Sequence, residues 1–326
     1  MGKWLHWDGK RWALDYDEAN VRLKARELAR QLPQDDKPAA SWKHASLSSA
    51  GLSSCIRVAA SDPRVTIPAG QLDAHATMLN TPDGVVDLVT GDLRPHDPAL
   101  NLTRTTSVGV ALDAPHPRWT QFLQVTFGGD EEMIGYVQRL AGLVLRGDVT
   151  EHILPLWYGT GANGKGAMAL VWQSILGTID TGGYAASAPD GFLMAGRDSA
   201  HPTEIARLRG ARLLLASEQT GGRRFDEAKV KRLTGGDMLT GRFMRGDFFD
   251  FRPSHLIVVA TNHLPEVREG GPSFWRRARL IPFDHVVPED RRDPDLHARL
   301  VATEGPSILG WMARGAIRVL ADGMVT

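Results

Sequence analysis

The chain has 326 residues, 42% of them apolar, with 38 basic and 38 acidic side chains. That length allows two domains and a sizeable core, and the apolar share excludes wholesale disorder. Zero net charge excludes nucleic-acid binding through a global basic field, so such contacts need local patches. The single cysteine, Cys55, excludes an internal disulfide and fits a reducing cytosol. No apolar run is long enough to span a bilayer, and residues 1–7 lack the apolar centre of a signal peptide.

Residues 1–14 carry Trp4, Trp7 and Trp12 around Asp8-Gly9, a hairpin signature. Aromatics beside Lys3, Lys10 and Arg11 could stack on bases, but a small apolar cluster pinning the hairpin is the simpler reading. Residues 15–34 read as a helix with Ala19, Val21, Leu23, Leu28 and Leu32 inward. Residues 35–78 are polar, with short helical pieces and a loop at Ser49–Ser54. From 79 to 113, Thr81-Pro-Asp-Gly84 and Thr90-Gly-Asp92 punctuate short apolar stretches, as in small hairpins. Two helices come next, Trp119–Phe127 and Glu131–Leu145. The segment up to residue 145 is thus α+β and runs without a flexible linker into the apolar run that starts at Leu154.

Leu154–Tyr158 is an apolar run of the buried-strand kind. It leads into Gly159-Thr160-Gly161-Ala162-Asn163-Gly164-Lys165-Gly166-Ala167 and then a helical pattern, with Leu170, Val171, Ile175 and Leu176 on one face and a stop at Gly177. Strand, glycine-rich turn and helix together form the context of a phosphate loop, against the simpler alternative of a chance glycine-rich turn between strand and helix. Glycines let successive N–H groups converge on anionic oxygens, and a lysine at the helix start reaches the β- and γ-phosphates. The pattern G-x-x-x-x-G-K-[ST] fails at its last position. Gly166 stands where a hydroxyl would ligate Mg²⁺.

Downstream, 187–202 reads as a surface loop. Leu208–Glu218 reads as an apolar strand ending in an acid, and Phe225–Leu233 as a short basic helix. Leu239–Met244 and Phe248–Phe251 read as strands around Arg245-Gly246-Asp247. His255–Asn262 is a second apolar strand ending in an amide, and Leu280–Phe283 a third. From Pro294 the chain is helical, with Ile308, Leu309, Trp311, Ile317 and Leu320 as core positions and no evident final cap. In a parallel α/β sheet, ligands sit at the carboxyl ends of strands. The phosphate loop, Glu218 and Asn262 all fall there. Glu218 could hold Mg²⁺ or polarise water, and Asn262 could orient that water. Taken singly, Glu218 is a strand-end surface acid and Asn262 a turn residue; the ordered set favours function.

Several segments together resemble the phage and plasmid primase-helicase family, whose helicase region is shared with the poxvirus primase-helicase and belongs to the superfamily 3, AAA+-type helicases. They are Gly159–Lys165, Leu208–Glu218, Leu233-Thr-Gly-Gly-Asp237, Val259-Ala-Thr-Asn262-His-Leu-Pro and Phe274–Phe283. Leu79-Asn-Thr-Pro-Asp-Gly-Val-Val-Asp-Leu and Tyr136–Gly142 resemble the domain that precedes the helicase in that family. The resemblance implies an AAA+-type P-loop NTPase with a parallel sheet at 146–326, preceded by a smaller α+β domain at 1–145. It implies ATP and Mg²⁺ as cofactors, a homo-oligomeric ring of hexamer type, and single-stranded or fork DNA as partner, with a primase or polymerase module as a further one. Its residue set is Lys165, Glu218, Asn262 and an arginine finger at Arg277, with Arg276 and Arg279 as alternatives. Arg245, with Arg242 and Lys231, would meet DNA. Ser217 departs from the Asp that precedes the catalytic acid in many phosphate-loop enzymes, and Gly166 is the second departure. The chain lacks a primase-type carboxylate cluster, so it reads as a helicase alone or a piece of a longer protein. The expected activity is ATP-driven DNA unwinding or translocation in replication of a phage or other mobile element. The alternatives are a nucleotide-dependent DNA-binding ring with weak or no hydrolysis, acting as a loader or scaffold, and an AAA+ protein remodeller.

Overall fold

A computed structural model describes residues 2–195, 202–218, 224–263 and 272–324, with Glu218 defined in its backbone only. The chain forms two compact units, residues 1–74 with 97–103, and 75–96 with 104–326. This grouping differs from the division at 145 expected from the resemblance.

In the first unit, β1 (Leu5–Trp7) and β2 (Trp12–Leu14) pair antiparallel with Trp7 opposite Trp12, as the Asp-Gly turn predicts. The two indoles meet edge to face at 5.8 Å. The Asp8 carboxylate closes the turn, accepting from the backbone N–H of Lys10 and Arg11 at 2.9 and 2.8 Å. Three helices come after it: α1 (Ala19–Arg30), α2 (Lys37–Leu47) and α3 (Ser49–Ala59). Ser49–Ser54 is therefore helix, not loop. Ser48 caps α3 by accepting from Gly51 N at 3.1 Å, so a serine-rich stretch that resembles a linker is a helix start. The core is made of Ala25, Ala29, Leu52 and Ile56, with Trp4, Val21, Leu32 and Leu47 against it. Leu23 and Leu28, expected inward, are 51% and 61% exposed; α1 turns its small alanines to its neighbours instead.

The second unit opens with an antiparallel sheet of β3 (Met78–Thr81), β4 (Gly84–Asp87) and β5 (Leu93–Arg94). Next come α4 (Pro117–Thr126) and α5 (Glu131–Leu145). The remainder runs β6 (Leu154–Tyr158), α6 (Lys165–Leu176), β7 (Ala185–Ser187), α7 (Pro202–Ala206), β8 (Leu213–Glu218) and α8 (Glu227–Thr234). It ends with β9 (Leu239–Gly241), β10 (Phe249–Phe251), β11 (Leu256–Thr261), α9 (Pro272–Trp275), β12 (Ala278–Pro282) and α10 (Leu296–Asp322). Five strands form one parallel sheet in the order β12-β6-β11-β8-β7. The α/β reading with a parallel sheet is thus the observed architecture.

Side chains alternate along the strands, so the sheet is apolar on both faces, as a parallel sheet must be. Trp157, Leu213 and Val258 join one core with α4, α5, α6 and α10. Leu154, Leu156, Leu214, Ala216, Ile257 and Val259 join another with Phe192, Leu193, Met194, Ile205, Val230 and Leu233. Phe192, Leu193 and Met194 are buried, so the expected loop at 187–202 is core in its described first half; residues 196–201 lie outside the described set. Residues 208–212 precede β8 rather than belong to it. The last helix does have a terminator, Gly323, whose N–H donates to Val319 O.

Helices α5 and α10 pack backbone against backbone. A Cβ at Gly142 would collide with Ala316 N, and one at Gly315 with Gln138 O. Gln138 bridges them, donating to Trp311 O at 3.0 Å and accepting from Arg318 Nη1 at 2.6 Å. Glu304 of α10 caps α4, its carboxylate accepting from Arg118 N at 3.0 Å and Trp119 N at 2.9 Å.

Candidate functional site

The glycine-rich turn leaves β6 and enters α6 at Lys165, which is the first residue of that helix. Gly161, Ala162 and Gly164 have φ of 110°, 50° and 90°, a left-handed path that glycine accepts without strain. The glycines do different work. A Cβ at Gly159 would strike Asn163 Nδ2 and Phe283 O, so this position answers to close approach. One at Gly164 would lie 2.8 Å from Thr126 Oγ1 of α4, on top of its positive φ. Gly166 has neither constraint, and a Cβ there would point into open space.

Neighbouring strands hold the turn. Gly159 N donates to Thr261 O at 3.3 Å, and Phe283 N to Tyr158 O at 2.7 Å. Asn163 is buried and donates from Nδ2 to Phe283 O at 2.6 Å. Its Oδ1 accepts from Lys165 Nζ at 3.2 Å, and Gly159 O accepts from the same nitrogen at 2.5 Å. Asn163 is therefore a brace between the turn and β12, a role that the sequence pattern does not express. Lys165 is 6% exposed, and burial holds its ammonium below the ordinary lysine pKa. A charge so desolvated, with the neutral oxygens of Gly159 and Asn163 as its described hydrogen-bond partners, is poised for an anion.

Beyond the carboxyl ends of β6, β8 and β11 lies a pocket of about 400 Å³. Residues 161–167 form one wall, and Ser217, Ala260 and Asn262 the other. The register explains the opposing wall, because Ser217 sits beside Ala260 and Glu218 beside Thr261. Glu218 thus ends β8 at the pocket side, and Asn262 follows the end of β11. A wider cleft of about 700 Å³ lies elsewhere, lined by residues 113–117, Thr120, Gln121 and Arg314. In it Arg314 donates to His116 Nε2 at 2.9 Å, and His116 Nδ1 meets Thr120 Oγ1 at 3.0 Å. None of the residues singled out in the sequence lines it.

Arg277 is 4% exposed and turns inward, donating from Nη1 to Ser273 O at 2.6 Å. Burial first, then the like charge of Arg276, lower its pKa. An arginine packed in this way does not extend toward a neighbour, whereas Arg276 is exposed. Arg279 is half-buried and bonds to the carbonyls of Arg276 and Ala278. All three lie at the start of edge strand β12, where Ala278 pairs with Leu154, while the turn follows Tyr158, which pairs with Pro282. Four strand steps separate the two ends, roughly 13 Å. The acids Glu266 and Glu269, and Gly270-Gly271, lie outside the described residues.

The hairpin expected around residues 245–247 forms, with Gly241 opposite Phe249, but β9 ends at Gly241 rather than Met244, and Phe248 lies outside β10. Arg245 stands near its tip with φ of 60° and is exposed. Arg242 lies over the Phe248 ring at 4.7 Å, and Phe243 stacks on Phe249 at 5.5 Å. Phe243, Met244 and Phe248 are 47%, 80% and 59% exposed, an apolar tip among arginines that the sequence reading passed over. Lys231 is exposed on α8.

Residues 1–128 match the family described as "D5 N terminal like". The chain is 24% identical over 237 residues to "Putative helicase 184R" of Invertebrate iridescent virus 6, covering 69% of this chain and 24% of that protein. It is 27% identical over 157 residues to "Putative helicase L207/L206" of Acanthamoeba polyphaga mimivirus, and 27% identical over 159 residues to "Putative helicase 022R" of Frog virus 3. The chain spans 24% of the first of these relatives and 16% of each of the other two. Among solved structures, the NrS-1 C-terminal region aligns with 13% identity and a TM-score of 0.49 over 65% of this chain and 49% of that one. Among the described residues, no helix is long and apolar enough to cross a membrane. Residues 1–128 thus resemble a D5-type N-terminal region, and the chain is similar over part of its length to these viral proteins.

Proposed function

We propose that the chain binds and hydrolyses ATP in the pocket at residues 159–167 and couples that turnover to movement on single-stranded or fork DNA, as a superfamily 3 helicase. The observation that carries the reading is the desolvated Lys165 at a helix N-terminus, facing strand ends that bear Ser217, Glu218 and Asn262. Backbone N–H groups of the turn and the Lys165 ammonium bind the phosphates. Glu218 accepts a proton from the attacking water, and Asn262 orients that water.

The family relationship supports a ring, with DNA held by Arg245, Arg242 and Lys231. The apolar tip of the β9–β10 hairpin suits unpaired bases, whose faces stack on aromatic rings. The separation between the start of β12 and the turn supports an arginine supplied to a neighbouring subunit's nucleotide, and exposure favours Arg276 for that reach over Arg277.

The test is ATP turnover with and without single-stranded DNA, in the wild type and in Lys165→Ala. Stimulated turnover that vanishes in Lys165→Ala supports the proposal, whereas equal turnover in both proteins refutes the site. A second reading, a nucleotide-dependent DNA-binding ring with feeble hydrolysis, is kept by Gly166, which supplies no hydroxyl to a metal. Nucleotide and DNA binding without turnover would select it.

A further inference from the structure

The two departures from the phosphate-loop pattern line one pocket. Gly166 and Ser217 both line it, one on α6 and one at the end of β8. Position 166 leaves open space where a side chain would project, and Ser217 is exposed into the pocket. The Ser217 hydroxyl makes no hydrogen bond to another described residue, so its lone pairs are available. Asn262 adds an amide oxygen to the same wall.

A hard divalent cation wants oxygen ligands, and Mg²⁺ commonly takes only one or two from protein while phosphates and water supply the rest. The donors present fit that mode. Among the described residues, no group of three or more His, Cys, Asp or Glu could hold a metal alone, so such an ion would depend on the nucleotide phosphates.

We propose that Ser217 supplies the hydroxyl ligand that Gly166 lacks, so that the metal-binding oxygen has moved from the helix after the turn to the end of the neighbouring strand. The proposal rests on the nucleotide reading of this pocket. The bound metal would screen the phosphates; Ser217 would fix its position on the β8 side, beside Glu218. Gly166 then has a reason of its own, because a second hydroxyl from α6 would compete for the same ion.

The experiment measures binding of a fluorescent, non-hydrolysable ATP analogue to the full chain as Mg²⁺ is titrated, in the wild type, Ser217→Ala, Ser217→Thr, Gly166→Ser and the Ser217→Ala/Gly166→Ser double variant. Ser217→Ala should raise the Mg²⁺ midpoint about tenfold, in the range typical for loss of a metal-supporting group. Ser217→Thr should stay within about twofold of the wild type. Gly166→Ser should bring the midpoint of Ser217→Ala back toward the wild type, because it returns a hydroxyl from the other wall. An unchanged midpoint in Ser217→Ala, with the analogue still bound, overturns the proposal and leaves the nucleotide site standing. A wild type that binds no analogue at any Mg²⁺ concentration overturns both.

Discussion

His255 offers a stability test with a magnitude set by its burial. It precedes β11, is 2% exposed, and neither ring nitrogen makes a hydrogen bond of ordinary geometry. The Leu233 carbonyl favours the charged ring somewhat, but burial dominates and pushes its pKa down to about 4. The unfolded chain binds this proton near pH 6.5 and the folded chain only near pH 4, so the folded state is favoured above both values. That advantage is intact above about pH 6.5, shrinks as pH falls toward 4, and changes no further below it. At 1.36 kcal/mol for each pKa unit, the full loss is about 3 kcal/mol, of which about 2 kcal/mol has gone by pH 5. Urea unfolding at pH 7.5 and pH 5, in the wild type and in His255→Leu, isolates the term, because the carboxylates shared by both proteins cancel in the difference. The variant should lose about 2 kcal/mol less stability than the wild type on acidification. If both proteins lose the same amount, the imidazole is not held neutral by burial, and the reasoning fails. His255→Met serves the same purpose if the leucine variant packs poorly.

Glu218→Gln should bind the ATP analogue as the wild type does yet lose turnover, because an amide does not take the proton from water; wild-type turnover would remove Glu218 from its role. Gly164→Ala should cost about 1–3 kcal/mol in denaturant unfolding, since it adds strain at positive φ and a clash with Thr126, whereas Gly166→Ala should stay within about 0.5 kcal/mol. Equal costs would refute the division of labour among these glycines. Arg245→Ala should weaken single-stranded DNA binding across sequences and reduce its salt slope by about one unit; an unchanged slope would make Arg245 a solvated turn residue. Arg276→Ala subunits mixed with Lys165→Ala subunits should regain part of the ATPase activity that each lacks alone. Arg277→Ala should instead lower stability, because it empties a buried site; full stability with restored mixed activity would return the finger to Arg277.

The path of strand, glycine-rich turn and helix at residues 154–176 was legible because its signals are local and chemically strict. An apolar run, a glycine series and a lysine leave few backbone paths, and β6, the turn and α6 take the expected one. The ends of β8 and β11 were legible for the same reason: a buried parallel strand reads as an unbroken apolar run, and the polar residues that end it mark the side on which the pocket lies. What failed depended on facing and partners. Leu23 and Leu28 fit a helix face, but the face that packs was chosen by Ala25 and Ala29, through close approach that periodicity does not encode. Arg277 and Arg276 are adjacent and chemically identical, so only the direction in which α9 hands over to β12 separates the buried one from the exposed one. Ser48 and its neighbours look like a linker until the cap is seen. Ser217 was legible as a departure, whereas its place in the same pocket as Gly166 needed the sheet order.

The glycine seam between α5 and α10 bears on how the chain can be cut. A fragment beginning at residue 146 would keep the pocket and all five parallel strands, yet it would strip α10 of the helix its backbone touches. Trp311, Met312, Ala313 and Ala316, all buried in the intact chain, would lose their cover. Glu304 would lose the two α4 N–H groups that its carboxylate serves. Such a fragment should expose a sticky helix and aggregate even with every pocket-lining residue in place. Poor behaviour of such a truncated chain would then report on a missing lining rather than on a defective pocket, and a soluble minimal version should begin upstream of α4.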